Sequence, residues 1–188
     1  MRIDRRSTLC AMMLAATAAC HPGTTVRTPV RTSEADLTHA QRLGADRVRN
    51  ATDAFHDHRV ALAAGYTTQY PAGCAASSDG AQGIHYLNKK LVDANVDLLH
   101  PELLMYEPQT DGDLQLVGVD YIVPFAEWKS ETPPRLLGVP FMRNEPLGVW
   151  ALHIWAWRYN SSGTFAMWNP GVTCPPAPPP IAAHEQSH

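Results

Sequence analysis

The chain carries none of the common signatures of nucleophilic or nucleotide-dependent catalysis. It has no GxSxG elbow, no HExxH helix, no P-loop and no dinucleotide-binding glycine pattern. Strong charge of either sign is also missing. With 15 Lys and Arg against 18 Asp and Glu, the 188 residues have a formal charge of −3. That balance makes no electrostatic case for nucleic acid or for an anionic membrane surface. Charged residues make up only 18% of the chain and prolines number 16, a composition that suits a loop-rich exported protein better than a helical bundle. No run of 18 or more apolar residues follows the N-terminus, so no segment reads as a transmembrane helix. Cysteines number four, and neither Cys74 nor Cys174 lies in a CxxC pair, which argues against a structural zinc site.

What is present begins with an address. Residues 1–20, MRIDRRSTLCAMMLAATAAC, have the parts of a bacterial export signal: a basic start at Arg2, Arg5 and Arg6, an apolar stretch from Leu9 to Ala16, then small residues. Thr17-Ala18-Ala19-Cys20 is similar to a lipobox and makes Cys20 the candidate lipidation site, with Thr17 where leucine is usual. Cleavage at the alanine-rich stretch, leaving Cys20 in the discarded peptide, is the alternative. The Arg5-Arg6 pair leaves the twin-arginine route open beside general secretion. Cys74 and Cys174 remain as one pair in an oxidising compartment. A disulfide between them would close a loop of about 100 residues, worth about 4–5 kcal/mol in the chain-entropy model.

Residues 21–32 lack apolar periodicity and read as a flexible tether. Residues 33–174 form the single domain, and 175–188 have the composition of a disordered polyproline-rich tail. Ser33 or Asp36 can cap a helix whose small apolar face, with Phe55 as anchor, runs on to a stop near Gly65. Tyr66 to Gln82 reads as a loop carrying Cys74, Gly83–Asn88 as a short strand, and 89–100 has no clear assignment. LLMYEP and LQLVGVDYIVP flank Asp111-Gly112 and predict a hairpin. Four of the five tryptophans fall between Trp150 and Cys174. Aromatic burial of about 150–250 Å² per ring predicts a central strand there, from about Val149 to Tyr159. The sum is an α+β domain, with an N-terminal helix packed on a mostly antiparallel sheet of three to five strands.

Strand phase sorts the candidate chemistry. A turn centred on Asp111-Gly112 sets Glu107 opposite Leu116 and Leu103 opposite Asp120. Leu103, Met105, Glu107, Gly118 and Asp120 then share one face, and Leu104, Tyr106, Val117, Val119 and Tyr121 share the other. Along the aromatic strand, Val149, Ala151, His153, Trp155 and Trp157 lie on one side. If that side faces Glu107 and Asp120, His153 joins the two acids and His85 can complete the set. Imidazole and carboxylate together can hold a divalent metal ion or act as an acid/base pair. They can equally form a buried hydrogen-bonded network that fixes strand register. Trp155 and Trp157, with Tyr86, are candidates for stacking a flat ligand, or simply core. His56 and His58 lie about 200° apart on a helix, so they cannot share a ligand.

GxHYxN at 83–88, LLMYEP at 103–108, LVGVDYIVP at 116–124 and LHIWAWRYNSSGTFAMWNPGVTC at 152–174 resemble the motifs of a group of small exported bacterial (lipo)proteins of uncharacterised activity. The resemblance covers Gly83 to Cys174. It implies an exported address and a carboxylate, usually Glu, at the position of Asp120; it implies no reaction. The first expectation is therefore a membrane-tethered, non-enzymatic periplasmic or cell-envelope module that binds a small ligand or a metal ion. A metal-dependent enzyme using His85, Glu107, Asp120 and His153 is the second, and an envelope protein-interaction domain the third.

Overall fold

A computed structural model describes residues 37–175. The expected export signal with Cys20, the expected tether, the caps expected at Ser33 and Asp36 and all but the first residue of the proline-rich tail lie outside them. The architecture is α+β, with six strands in one antiparallel sheet instead of the expected three to five. Helix α1 spans His39–Thr52. Its cap is Thr38, whose side chain accepts from the Gln41 N–H while the Gln41 side chain accepts from the Thr38 N–H. This reciprocal capping box satisfies two orphan donors at once.

The helix does not continue to Gly65 as one piece. A 3₁₀ turn at Asp53–His56 intervenes, and Asp57, with extended ψ, caps a second helix, α2, His58–Ala63. Two local polar contacts accompany the break. Thr52 Oγ1 donates back to the Val48 carbonyl, and Asp57 accepts from the Arg59 N–H; such side-chain bonds compete with an unbroken helix. Gly65 does take the left-handed conformation, at φ 106°.

The sheet contains β1 Thr68–Ser77, β2 Gly80–Leu87, β3 Leu103–Pro108, β4 Leu114–Pro124, β7 Met142–Asn144 and β8 Val149–Ile154. Their spatial order is β1-β2-β3-β4-β8-β7. A separate two-stranded ribbon pairs β5 Arg135–Leu136 with β6 Val139–Pro140. β1 falls where a loop was expected, because its Ala, Gly, Ser and Pro residues have low β propensity. Its ladder to β2, interrupted between Gln69 and Cys74, supplies what propensity does not. Residues 89–100 form turns and bends. Cys74 on β1 is disulfide-bonded to Cys174, a separation of 100 residues.

The hairpin of β3 and β4 forms at Asp111-Gly112, with Gly112 at φ 92°. Leu103 faces Asp120 as expected, but a bulge shifts the register beyond Met105, so Glu107 faces Gln115 and not Leu116. The extra residue reverses the phase. Leu116 joins Leu104, Tyr106, Val119 and Tyr121 in the larger buried cluster, which also contains Val48 of α1 and Ala61 of α2. Val117, expected on that side, joins Met105 and Trp155 on the other.

The aromatic strand is also shorter and less central than expected. β8 ends at Ile154 and lies fifth of six in the sheet. After it the backbone leaves the ladder: Trp157 and Arg158 both donate their N–H to the Val117 carbonyl. Trp155 stays on the His153 side. Trp157 turns to the opposite face, where its indole N–H donates to Thr52 Oγ1 at 3.0 Å.

Candidate metal centre

Three adjacent ladders place the chemistry. On β4, Asp120 lies directly opposite His153 of β8. On β2, His85 lies opposite Met105 of β3, which lies opposite Gly118 of β4. His85 thus reaches Asp120 across an intervening strand. One ligand atom from each of His85, Asp120 and His153 lies within 4.8 Å of the other two, and all three residues are buried. His153 Nε2 is 3.4 Å from Asp120 Oδ2, and His85 Nε2 is 4.0 Å from the same oxygen. With metal–ligand bonds of about 2.0–2.1 Å, tetrahedral ligand atoms are separated by about 3.3–3.4 Å. The His153–Asp120 spacing matches that, whereas His85, 4.0 Å from Asp120 Oδ2 and within 4.8 Å of His153, has to move in by up to about 1.4 Å to complete a tetrahedral set.

A cavity of about 30 Å³ adjoins the cluster, lined by apolar Leu103, Ile122, Val149 and Ala151 and by polar Gln82 and Asn144. It has room for about one water molecule.

Hydrogen-bond chemistry constrains the site further. His153 Nδ1 is 3.0 Å from the Met167 carbonyl oxygen. A carbonyl only accepts, so Nδ1 carries the hydrogen. Nε2 of a neutral His153 therefore presents a lone pair to the Asp120 carboxylate. Two facing lone pairs repel, so a positive species belongs between them: either a proton on Nε2 or a metal ion. Burial opposes charging His153, but the Asp120 charge, its hydrogen bond and the Met167 carbonyl outweigh burial and raise the His153 pKa above its ordinary value. His85 is pushed down to about 4, chiefly by burial, partly offset by Asp120. A single proton on His153 still leaves buried Asp120 Oδ1 and His85 Nδ1 with no hydrogen-bond partner among the described residues.

Glu107, expected in this set, is elsewhere. Its Oε2 accepts from Arg158 Nη2, and its Oε1 accepts from the Thr173 N–H at 2.8 Å and from Thr173 Oγ1 at 3.2 Å. The acid thus ties the segment after β8 to the residue before Cys174. The three aromatic candidates do not share a face. Trp155 donates its indole N–H to the Ala166 carbonyl, Trp157 bonds Thr52, and Tyr86 packs edge-on to His58 and Tyr106. His56 and His58 both make aromatic contacts, His56 with Trp157 and His58 with Tyr86 and Tyr106. Cys20 lies outside the described residues.

Two contributors escaped sequence reasoning. The loop after Gly163 lies over His153, and its Met167 carbonyl also accepts from Gln82 Nε2; a backbone carbonyl has no sequence signal. Glu102 is buried, and its Oε2 accepts from the Ile122 N–H at 3.2 Å. Burial raises its pKa to about 8, reduced by backbone hydrogen bonds and increased again by Asp120. Its position just before a strand gave no hint of burial.

No protein-family model, curated protein or solved structure matches the chain. Fold and site alone define its class: an α+β domain with a buried His₂Asp cluster on one sheet face.

Proposed function

We propose that this protein is an exported cell-envelope module that holds one divalent transition-metal ion through His85, Asp120 and His153. The observation that carries the reading is the facing lone-pair arrangement of His153 Nε2 and Asp120 Oδ2 at 3.4 Å, with a second imidazole within reach. Two imidazoles and one carboxylate suit zinc, iron or copper better than calcium or magnesium. A cavity of about 30 Å³ leaves a water-sized open position and no space for an organic substrate, which favours binding over turnover. The address rests on the export-like residues 1–20, with Cys20 as the lipid-anchor candidate, and on the resemblance of Gly83–Cys174 to small exported bacterial proteins. Helices α1 and α2 serve as cover for the opposite sheet face, a role supported by Val48 and Ala61 sharing its cluster.

The test is metal analysis of protein purified without a histidine tag, followed by thermal unfolding after chelation and metal addition. A ligand at a hundred times its Kd stabilises by about 2.7 kcal/mol, or roughly 5–11 °C for a chain of this size. Near-stoichiometric metal and such a rise, lost in Asp120→Asn, are expected. Absence of metal from the isolated protein, with no shift on adding zinc, iron or copper, leaves only the protonated His153–Asp120 pair and refutes the proposal.

A further inference from the structure

The cavity beside the metal cluster has a rim as well as a floor. His85, Asp120 and His153 are buried, and of its other lining residues only Tyr70, Asn144, Leu147 and Met167 are half-buried and Pro71 exposed. Tyr70 and Pro71 belong to an interruption of the β1 ladder. Gln69 pairs with Tyr86 and Cys74 with Ile84, so residues 70–73 stand opposite His85 alone. Bulges of this kind occur often beside functional sites, where they redirect a strand.

The sides of the rim are held very differently. Asn144 pairs with Val149 in the β7–β8 ladder, and its Oδ1 accepts from the Leu147 N–H at 3.3 Å across the 3₁₀ turn Glu145–Leu147. The backbone at Met167 is pinned by three consecutive carbonyls. Ala166 accepts from Trp155, Met167 from His153 and Gln82, and Trp168 from Asn160. Residues 70–73, by contrast, have no ladder partner. Their near end is fixed where Gln69 pairs with Tyr86, and their far end where Cys74 is cross-linked to Cys174. Between those points the Tyr70 hydroxyl donates to the Leu147 carbonyl at 3.2 Å. Both residues belong to the rim, so this bond spans the mouth of the cavity.

We propose that residues 70–73 are a lid over the buried imidazoles, latched by the Tyr70 hydroxyl on the Leu147 carbonyl, and that a divalent metal ion enters and leaves beneath it. The inference rests on the metal-binding reading of His85, Asp120 and His153. That cluster needs a route in, since Asp120, the most exposed of the three, is only 6% exposed. The lid is the part of the rim that can move without breaking a sheet ladder. A latch outside the coordination set governs how often the cavity opens and leaves the bound ion's own contacts alone. Uptake and release therefore accelerate together when the latch is lost, and their ratio, the Kd, stays constant. Loss of one neutral hydrogen bond shifts an opening equilibrium about two- to tenfold.

The experiment compares the wild-type chain with two variants. Tyr70→Phe keeps the ring and removes the latch. Tyr106→Phe removes a hydroxyl that donates to the Phe55 carbonyl on the opposite sheet face. In metal-free protein, diethyl pyrocarbonate labelling read by peptide mass spectrometry gives the modification rates of His85 and His153, with exposed His100 as internal reference. In zinc-loaded protein, transfer to a chromogenic chelator gives the release rate, and equilibrium competition gives the Kd. Tyr70→Phe should label both buried histidines and release zinc about two- to tenfold faster, with His100 labelling and the zinc Kd unchanged. Tyr106→Phe should match wild type throughout. Faster labelling in a Tyr70→Phe protein that binds no zinc keeps the lid and refutes only the metal reading. Equal labelling of Tyr70→Phe and wild type overturns the lid, as does the same acceleration in Tyr106→Phe. A weaker Kd that accounts for the faster release overturns it too, because Tyr70 would then be positioning the ligands.

Discussion

Glu102→Gln isolates one buried acid whose effect on stability can be worked out in sign and size. Glu102 is 2% exposed, and burial moves its pKa from 4.5 to about 8. Because the folded pKa lies above the unfolded one, the folded state holds the proton more tightly. The resulting stabilisation is complete below about pH 4.5 and is lost as pH rises towards about 8. At about 1.36 kcal/mol per unit, the full excursion is on the order of 5 kcal/mol. A neutral amide cannot lose this proton, yet its oxygen can still accept from the Ile122 N–H. Urea unfolding of both proteins at pH 5 and pH 8.5 gives the answer as a difference of differences, which subtracts the other titrating groups. Wild type should lose several kcal/mol more than Glu102→Gln between those pH values. Equal losses would refute the assignment of a protonated acid at this position. Any constant offset from burying the extra amide hydrogens appears at both pH values and cancels.

Other expectations are briefer. His85, with a folded pKa of about 4 against an ordinary 6.5, contributes stability present above pH 6.5 and lost as pH falls towards 4; in metal-free protein, His85→Gln should flatten that acid limb of the urea-stability profile. Replacing both Cys74 and Cys174 with Ser removes a cross-link spanning 100 residues and should cost about 4–5 kcal/mol in the chain-entropy model, seen as a lower urea midpoint. Gly83→Ala should cost at least about 2 kcal/mol, because Gly83 has φ +83° and an added Cβ would stand 2.3 Å from the Tyr106 carbonyl oxygen. Since Gly83 precedes His85 by two residues on β2, metal affinity measured by competition with a chelator should fall in the same variant.

Local chemistry alone determined several features. Asp111-Gly112 between two β-prone runs specified a hairpin, since the turn needs a positive φ that glycine adopts without strain. The α+β class followed from one helical period and several strand periods, and Cys74 and Cys174, neither in a CxxC pair, pointed to the one bridge that forms. The placement of His85, Glu107, Asp120 and His153 on named strands was open to sequence reading, because side-chain alternation is a local rule.

Tertiary structure decided which of those residues meet. One extra residue near Val117 shifted the register beyond Met105, and Glu107 is held by Arg158 and Thr173, so it stands apart from the imidazoles. The strand order set β8 beside β4, which put His153 opposite Asp120. Chain departure from the ladder after Ile154 sent Trp157 to the helix side, where its indole N–H meets Thr52, and left Arg158 paired with Glu107. Bulges, strand order and the points where a backbone leaves its sheet depend on partners distant in the chain. A local pattern records none of those partners, so only the folded structure could settle them.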